Sequence, residues 1–193
     1  MDAEQISTTR TYTKAEYLEL VERSVHKLEY LDGPIRLMAG GTEAHGDTVE
    51  NIFVAMRTAR PDCYVKSSER AISIASLNRY YFPDASATCD PPVHEEGGGI
   101  ARLTNLTLIV EVLSQGTAEN DRGEKFAAYR QLPSFREYVL IDSRRCSVET
   151  WYREQDNRWR IGNYYRMEQS VRLFTLDLDI PLTTLYAGVA LHD

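Results

Sequence analysis

The chain has 193 residues, of which 42% are hydrophobic and 26% charged, enough for one sizeable core in an ordinary globular composition. With 22 Lys and Arg against 29 Asp and Glu, the formal charge of −7 argues against a dedicated nucleic-acid binder that works by phosphate neutralisation alone. It leaves a nuclease open, because clustered carboxylates become tolerable beside phosphate once a divalent cation sits among them.

No apolar run approaches the roughly 18–20 residues that span a bilayer. Met1 to Gln5 is acidic and polar and carries no secretory signal. Cys63, Cys89 and Cys146 are widely spaced and odd in number, which reads as reduced thiols in a cytoplasmic protein. Residues 1–12 read as a flexible, polar lead-in to a single domain over 13–193. Thr13 and Glu16 have capping-box spacing ahead of Tyr17, Leu18 and Val21, which predicts a helix over about 14–23. His26 to Tyr30 and Ile35 to Met38 flank Asp32-Gly33 and read as a hairpin. After Gly40-Gly41-Thr42, the apolar residues Val49, Ile52, Phe53 and Met56 recur at helical spacing, so a second helix is expected over about 44–59, ending at Pro61.

Short strands are expected over 63–66, over 71–74 and around 80–88. Asp90 to Ala101, with Pro91-Pro92 and three consecutive glycines, reads as a mobile surface loop. The glycines lack the preceding strand and following helix of a phosphate cradle. Leu106 to Leu113 is rich in Val, Ile and Leu and reads as a central strand covered on both faces. Asp121 fits an N-cap with Glu124 at N3, opening a helix with Phe126, Tyr129 and Leu132 on its apolar stripe until Pro133. Strands follow over 135–141, as an antiparallel pair over 148–152 and 159–165, and over 171–178, before a closing helical turn over 181–186. This pattern predicts an α/β domain with a mixed central sheet flanked by helices.

Glu111 interrupts the apolar strand, and a carboxylate there costs several kcal/mol unless a partner or a metal compensates it. If its strand neighbours the segment opened by Pro83-Asp84, both carboxylates project into one cleft. Such oxygen ligands suit Mg²⁺ or Mn²⁺. Lys125, early in the following helix, is placed to align a nucleophile or offset developing negative charge. The blander readings are a turn cap for Asp84 and a buried ion pair of Glu111 with Lys125 or Arg130. Ser114 has no nucleophile-elbow context and no His–acid partner. His26, His94 and His192 are scattered, and Arg144-Arg145 and Arg158/Arg160 read as solvated faces.

In order and spacing, Pro83-Asp84, Glu111-Val112-Leu113-Ser114 and Asp121-Arg122-Gly123-Glu124-Lys125 with Tyr129 resemble the Uma-two family of the PD-(D/E)xK restriction-endonuclease-like superfamily. Leu28 to Gly33, Met38 to His45 and Glu137 to Asp142 extend the resemblance over most of the chain. It implies a Mg²⁺- or Mn²⁺-dependent endonuclease hydrolysing DNA phosphodiesters, acting as a homodimer. The alternative is a non-catalytic interaction module that keeps the fold. The resemblance implies Asp84 and Glu111 as metal ligands, Lys125 in place of the usual lysine (whose position here holds Leu113) and Glu29 assisting the metal shell. It also implies His45 as a contact to phosphate or to a ligand carboxylate. Gly40-Gly41-Thr42 and Gln115-Gly116 depart from the family pattern in their loops.

Overall fold

The structure, a computed structural model, describes residues 10–38, 40–97 and 99–192. The capping box of Thr13 and Glu16 forms as its spacing predicts and starts α1 (Lys14–Arg23), which buries Tyr17 and Val21. The hairpin of β1 (Leu28–Leu31) and β2 (Ile35–Leu37) turns through Asp32 and Gly33, at φ of 59° and 124°. Left-handed backbone of this kind favours Gly and tolerates Asp. Thr42 then caps α2 (Glu43–Ala59) by accepting a hydrogen bond from the His45 amide at 3.3 Å, and the helix buries Thr48, Ile52 and Met56.

The strands β3 (Tyr64–Ser67), β4 (Ala71–Ile74), β5 (Arg79–Tyr81), β6 (Ala85–Thr88), β7 (Arg102–Leu103) and β8 (Leu108–Leu113) come next. A helical segment follows, in which α3 (Ala118–Asn120) passes through a π-helical turn (Asp121–Lys125) into α4 (Phe126–Tyr129). The chain then forms β9 (Glu137–Asp142), β10 (Ser147–Arg153), β11 (Trp159–Tyr164), β12 (Ser170–Leu173), β13 (Leu178–Pro181) and α5 (Leu182–Leu185).

The expected α/β domain holds, with its strands divided between sheets. One runs β2-β1-β5-β4-β7, a larger one β11-β10-β9-β8-β6-β3, and β12 and β13 form a separate hairpin. Among the described residues only β4 with β7 and β8 with β9 pair in parallel, so both main sheets are mixed. Every residue of β8 is buried, as a strand covered on both faces requires. Its side chains alternate. Leu108, Val110 and Val112 pack with Ile52 and Met56 of α2, whereas Ile109 and Leu113 pack with Tyr81, Tyr129 and Phe135. Glu111 therefore belongs to the second face, toward the smaller sheet and α4.

The structure corrects several expectations. The lead-in over 1–9 lies outside the described residues, but Tyr12, at its end, is buried, and its amide donates to Gly33 O at 2.8 Å. The single strand expected over 171–178 is two, because Asp177 takes φ of 50° and folds the chain back with Leu173 opposite Leu178. The turn is hidden in the sequence because its Leu176 is buried like a strand residue. The stretch over 90–101 is mostly irregular, as expected, though His94 bridges to Leu103 and Ala101 O accepts from the Ala71 amide.

Cys63 and Cys89 are not reduced thiols but a disulfide, leaving Cys146 free. Tyr64 pairs with Thr88 in the β3–β6 register, so the two cysteines stand directly opposite one another, one residue beyond. The 26-residue separation in sequence conceals this, and the thiol argument for a cytoplasmic setting falls with it. Thiol titration of the unfolded, unreduced protein is expected to find one reactive cysteine, and three after reduction. Cys89→Ala should lower the unfolding free energy by about 2–4 kcal/mol, read from the urea midpoint, because the bridge no longer restrains the unfolded chain.

Candidate active site

β6 and β8 are antiparallel neighbours with Ala85 opposite Val110, which sets Asp84, just before β6, beside Glu111. The two are interlocked. The Val112 amide donates to Asp84 Oδ2 at 2.7 Å, and the Asp84 amide donates to Glu111 Oε2 at 3.4 Å. The other oxygen of Glu111, Oε1, accepts from the Tyr129 hydroxyl at 2.8 Å and from Lys125 Nζ at 3.2 Å. Lys125 Nζ also lies 3.2 Å from Glu29 Oε1 and 3.4 Å from Asp121 Oδ1. Glu29 reaches this point from β1 of the smaller sheet, and its Oε2 is 3.6 Å from Arg36 Nη1.

His45 sits in the first turn of α2 with Nε2 3.4 Å from Asp84 Oδ2. Its ring rests on Gly41, where a Cβ would stand 2.5 Å from Nδ1. The glycine at this turn thus makes room for the imidazole. Glu29, Arg36, His45, Asp84, Glu111 and Lys125 all line one cleft of about 490 Å³. The structure therefore brings together all five residues singled out in the sequence: Glu29, His45, Asp84, Glu111 and Lys125.

Four of the charged groups are almost completely withdrawn from water: Glu29 is 1%, Glu111 and Asp121 2% and Lys125 5% exposed. Burial pushes the Glu111 carboxyl well above its usual range; Lys125 opposes this, while Asp121, Asp84 and Glu29 add to it. Burial likewise raises Asp121 against the opposing pull of Lys125. For Lys125, burial disfavours the charge, but Glu111, Glu29 and Asp121 outweigh it and hold the ammonium charged. Burial also works against His45⁺, yet its contact with Asp84 lifts the ring above its ordinary value. Burial, reinforced by Glu111, keeps the Tyr129 phenol protonated and a donor.

The cluster is short of positive charge. Three carboxylates, those of Glu29, Glu111 and Asp121, share the Lys125 ammonium and Asp84 stands beside Glu111, with His45 and Arg36 only at the edge. Glu29 Oε1 and Asp121 Oδ1 are buried without a hydrogen-bond partner, although both lie within ion-pair range of Lys125. A further cation fits this imbalance, and Asp84 with Glu111 offers it hard oxygen donors. Among the described residues, no three His, Cys, Asp or Glu side chains already stand close enough to hold one metal ion. Two carboxylates alone suit an ion that retains much of its water, as Mg²⁺ does.

Asp121, Tyr129 and Arg36 belong to the cluster but were not singled out for chemistry in the sequence. Asp121 resembles an N-cap, yet it has helical backbone inside the π-turn, and its amide donates to Thr117 O at 2.9 Å. The available signal was the Asp121, Lys125, Tyr129 spacing of four, which places all three on one helix face. Tyr129 fits an apolar stripe equally well, and nothing in the sequence marks Arg36.

Two mixed sheets thus close on a buried acid–lysine cluster. The family model Uma2, described as "Putative restriction endonuclease", matches residues 15–183, and the chain belongs to that family. Two uncharacterised proteins of Synechocystis sp. are similar to it. One is 33% identical over 91% of both chains, and the other 31% identical over 80% of this chain and 88% of its own. The crystal structure of "a putative nuclease belonging to DUF820" from Anabaena variabilis superposes with a TM-score of 0.74. That match covers 93% of this chain and 99% of the other at 15% identity, so the likeness is one of fold. No helix among the described residues is long and apolar enough to cross a membrane.

Removing the shared ammonium strands buried carboxylates. Lys125→Met is expected to cost about 3–5 kcal/mol in urea unfolding near neutral pH. A loss below about 1 kcal/mol would mean that Lys125 does not neutralise the cluster.

Proposed function

We propose that this protein is a Mg²⁺- or Mn²⁺-dependent endonuclease that hydrolyses DNA phosphodiester bonds. The observation that carries the reading is the meeting of Asp84 and Glu111 at adjacent strands, with Lys125 Nζ 3.2 Å from Glu111 Oε1. A structural ion pair needs one carboxylate for one ammonium. Here the carboxylates exceed the ammonium and line an open cleft of about 490 Å³.

Asp84 and Glu111 are the residues that would hold the ion. When bound, the ion supplies an acidified water and neutralises charge on the phosphoryl group. The chain's own groups do the rest. Tyr129 and Lys125 tie down Glu111 Oε1, which fixes the carboxylate and leaves Oε2 on the Asp84 side. The Lys125 ammonium orients the attacking water or offsets the negative charge that grows as the water oxygen bonds to phosphorus and the ester oxygen leaves. Glu29 holds that ammonium from the opposite sheet and assists the outer shell of the ion. His45, against Asp84 at the cleft, steadies the carboxylate.

Two observations favour a second reading, a non-catalytic module that keeps the fold: the charge of −7 and the lack of a ready three-ligand site among the described residues. Mn²⁺ calorimetry separates the readings. An intact centre binds the ion and Asp84→Ala does not, whereas a module of the second kind shows no heat in either. On supercoiled plasmid DNA, nicking is expected with Mg²⁺ or Mn²⁺ and none with chelator. Asp84→Ala and Glu111→Ala should both abolish nicking while keeping a native circular dichroism spectrum. Cleavage that survives both substitutions in chelator overturns the proposal.

The proposal includes a homodimer, which would present two centres to two strands. β11 is the edge of the larger sheet and exposes 60% of Ile161, an apolar side chain on a strand free to pair. Sedimentation is expected to give a dimer, and Ile161→Lys a monomer.

A further inference from the structure

Beside the cleft, which Arg36 lines, two arginines share one carboxylate. Arg36 of β2 donates from Nη2 to Glu124 Oε2 at 2.9 Å, and Arg79 of β5 donates from Nη1 to Glu124 Oε1 at 3.0 Å. Arg36 Nη1 also donates to Asn120 Oδ1 at 2.9 Å, and Arg79 Nη1 to the Tyr81 hydroxyl at 3.1 Å. Arg79 Nε is buried without an acceptor, so the surrounding groups leave its guanidinium incompletely satisfied. Both arginines and Glu124 are partly exposed, with side chains 37%, 27% and 37% accessible. Arg36 lines the cleft and stands 3.6 Å from Glu29, whose other oxygen is 3.2 Å from Lys125. The fork is thus one carboxylate away from the buried lysine.

We propose that Arg36 and Arg79 form a binding site for a backbone phosphate next to the scissile one, and that Glu124 occupies this site as an internal anion until nucleic acid displaces it. Guanidinium groups bind carboxylate and phosphate with the same planar, two-pronged geometry, so a carboxylate spanning two arginines marks a place that a phosphate can fill. The remaining cleft residues leave the polyanion few other anchors. The Lys125 ammonium is buried among three carboxylates, and His45 is turned to Asp84. A substrate approaching four acidic groups on a protein of net charge −7 needs a local cationic foothold, and this fork supplies it. The internal carboxylate also sets a threshold. A lone phosphate must compete with a tethered anion, whereas a strand held at several phosphates displaces it by its combined contacts.

The inference rests on the proposed nucleic-acid substrate, and its test is independent of cleavage. Binding of a short fluorescent DNA duplex is followed by anisotropy in EDTA across a potassium chloride series. Glu124→Gln, which keeps the shape but drops the charge, is expected to tighten binding at least about threefold at low salt and to steepen the slope of log affinity against log salt by about 1. Arg36→Gln should weaken binding and flatten the slope by about 1. In the double variant the gain from Glu124→Gln should be largely lost, because Arg36 is no longer there to be released. Arg36→Lys should keep the slope of the wild type while losing affinity, since a point charge replaces the planar fork. Glu124→Gln binding no tighter than wild type, or an undiminished gain in the double variant, overturns the inference, as does a wild type that does not bind DNA. Plasmid nicking without this affinity pattern leaves the nuclease reading standing and removes the fork. The affinity pattern without metal-dependent nicking does the reverse.

Discussion

The Lys125 ammonium is the constraint on which the rest of the site depends. Its three carboxylate neighbours come from three places: Glu29 on β1 of the smaller sheet, Glu111 on β8 of the larger sheet, and Asp121 on the helical segment that carries Lys125 itself. One buried charge therefore ties both sheets to the intervening helix. Such ties are costly, because each ion gives up several kcal/mol of hydration and recovers it only through close partners. A core built for stability alone would place an apolar side chain of similar size at each of these positions. That this chain instead gathers more carboxylates than cations at the floor of a cleft is the physical reason for reading the cluster as chemistry.

The π-helical turn makes the geometry possible. Turns of this type are rare and concentrate at functional sites, because they change which side chains face inward over a single turn. Here Asp121 and Lys125, at the ends of the turn, are both buried, while Glu124 stays partly exposed and meets Arg36 and Arg79. One segment of five residues thus supplies the buried ammonium, one of its counterions and the carboxylate that bridges the arginine fork. Tyr129, one turn further on, holds Glu111 by hydrogen bond and packs at the same time against Tyr81 and Phe135, so its ring serves the core and its hydroxyl the site.

Asp84 and Glu111 show how register converts sequence into proximity. They are far apart in the chain, yet an antiparallel β6–β8 pairing with Ala85 opposite Val110 leaves no other place for Asp84 than beside Glu111. A shift of one residue would turn the Glu111 side chain to the face packed by α2, where Leu108, Val110 and Val112 meet Ile52 and Met56. The apolar alternation of β8 enforces the register, so the hydrophobic pattern of the strand also aims its one carboxylate.

Local signals in the sequence were enough for much of the fold. The capping box at Thr13, the Asp32-Gly33 turn, the apolar stripe of α2 and the Val/Ile/Leu-rich run of β8 each act over a few residues, and each produced the element its pattern predicts. Glu111 stood out for the same reason, as a charge in an apolar strand, and Asp84 and Lys125 followed from order and spacing. Contacts between distant segments were not legible in this way. The Cys63–Cys89 bridge, the inward turn of Asp121, the division of strands between two sheets and the meeting of Arg36, Arg79 and Glu124 each join residues that no local pattern links. Periodicity and capping are set by neighbours along the chain, whereas pairing partners and the direction of a buried charge are settled only when whole sheets pack and each ion must find its counterion.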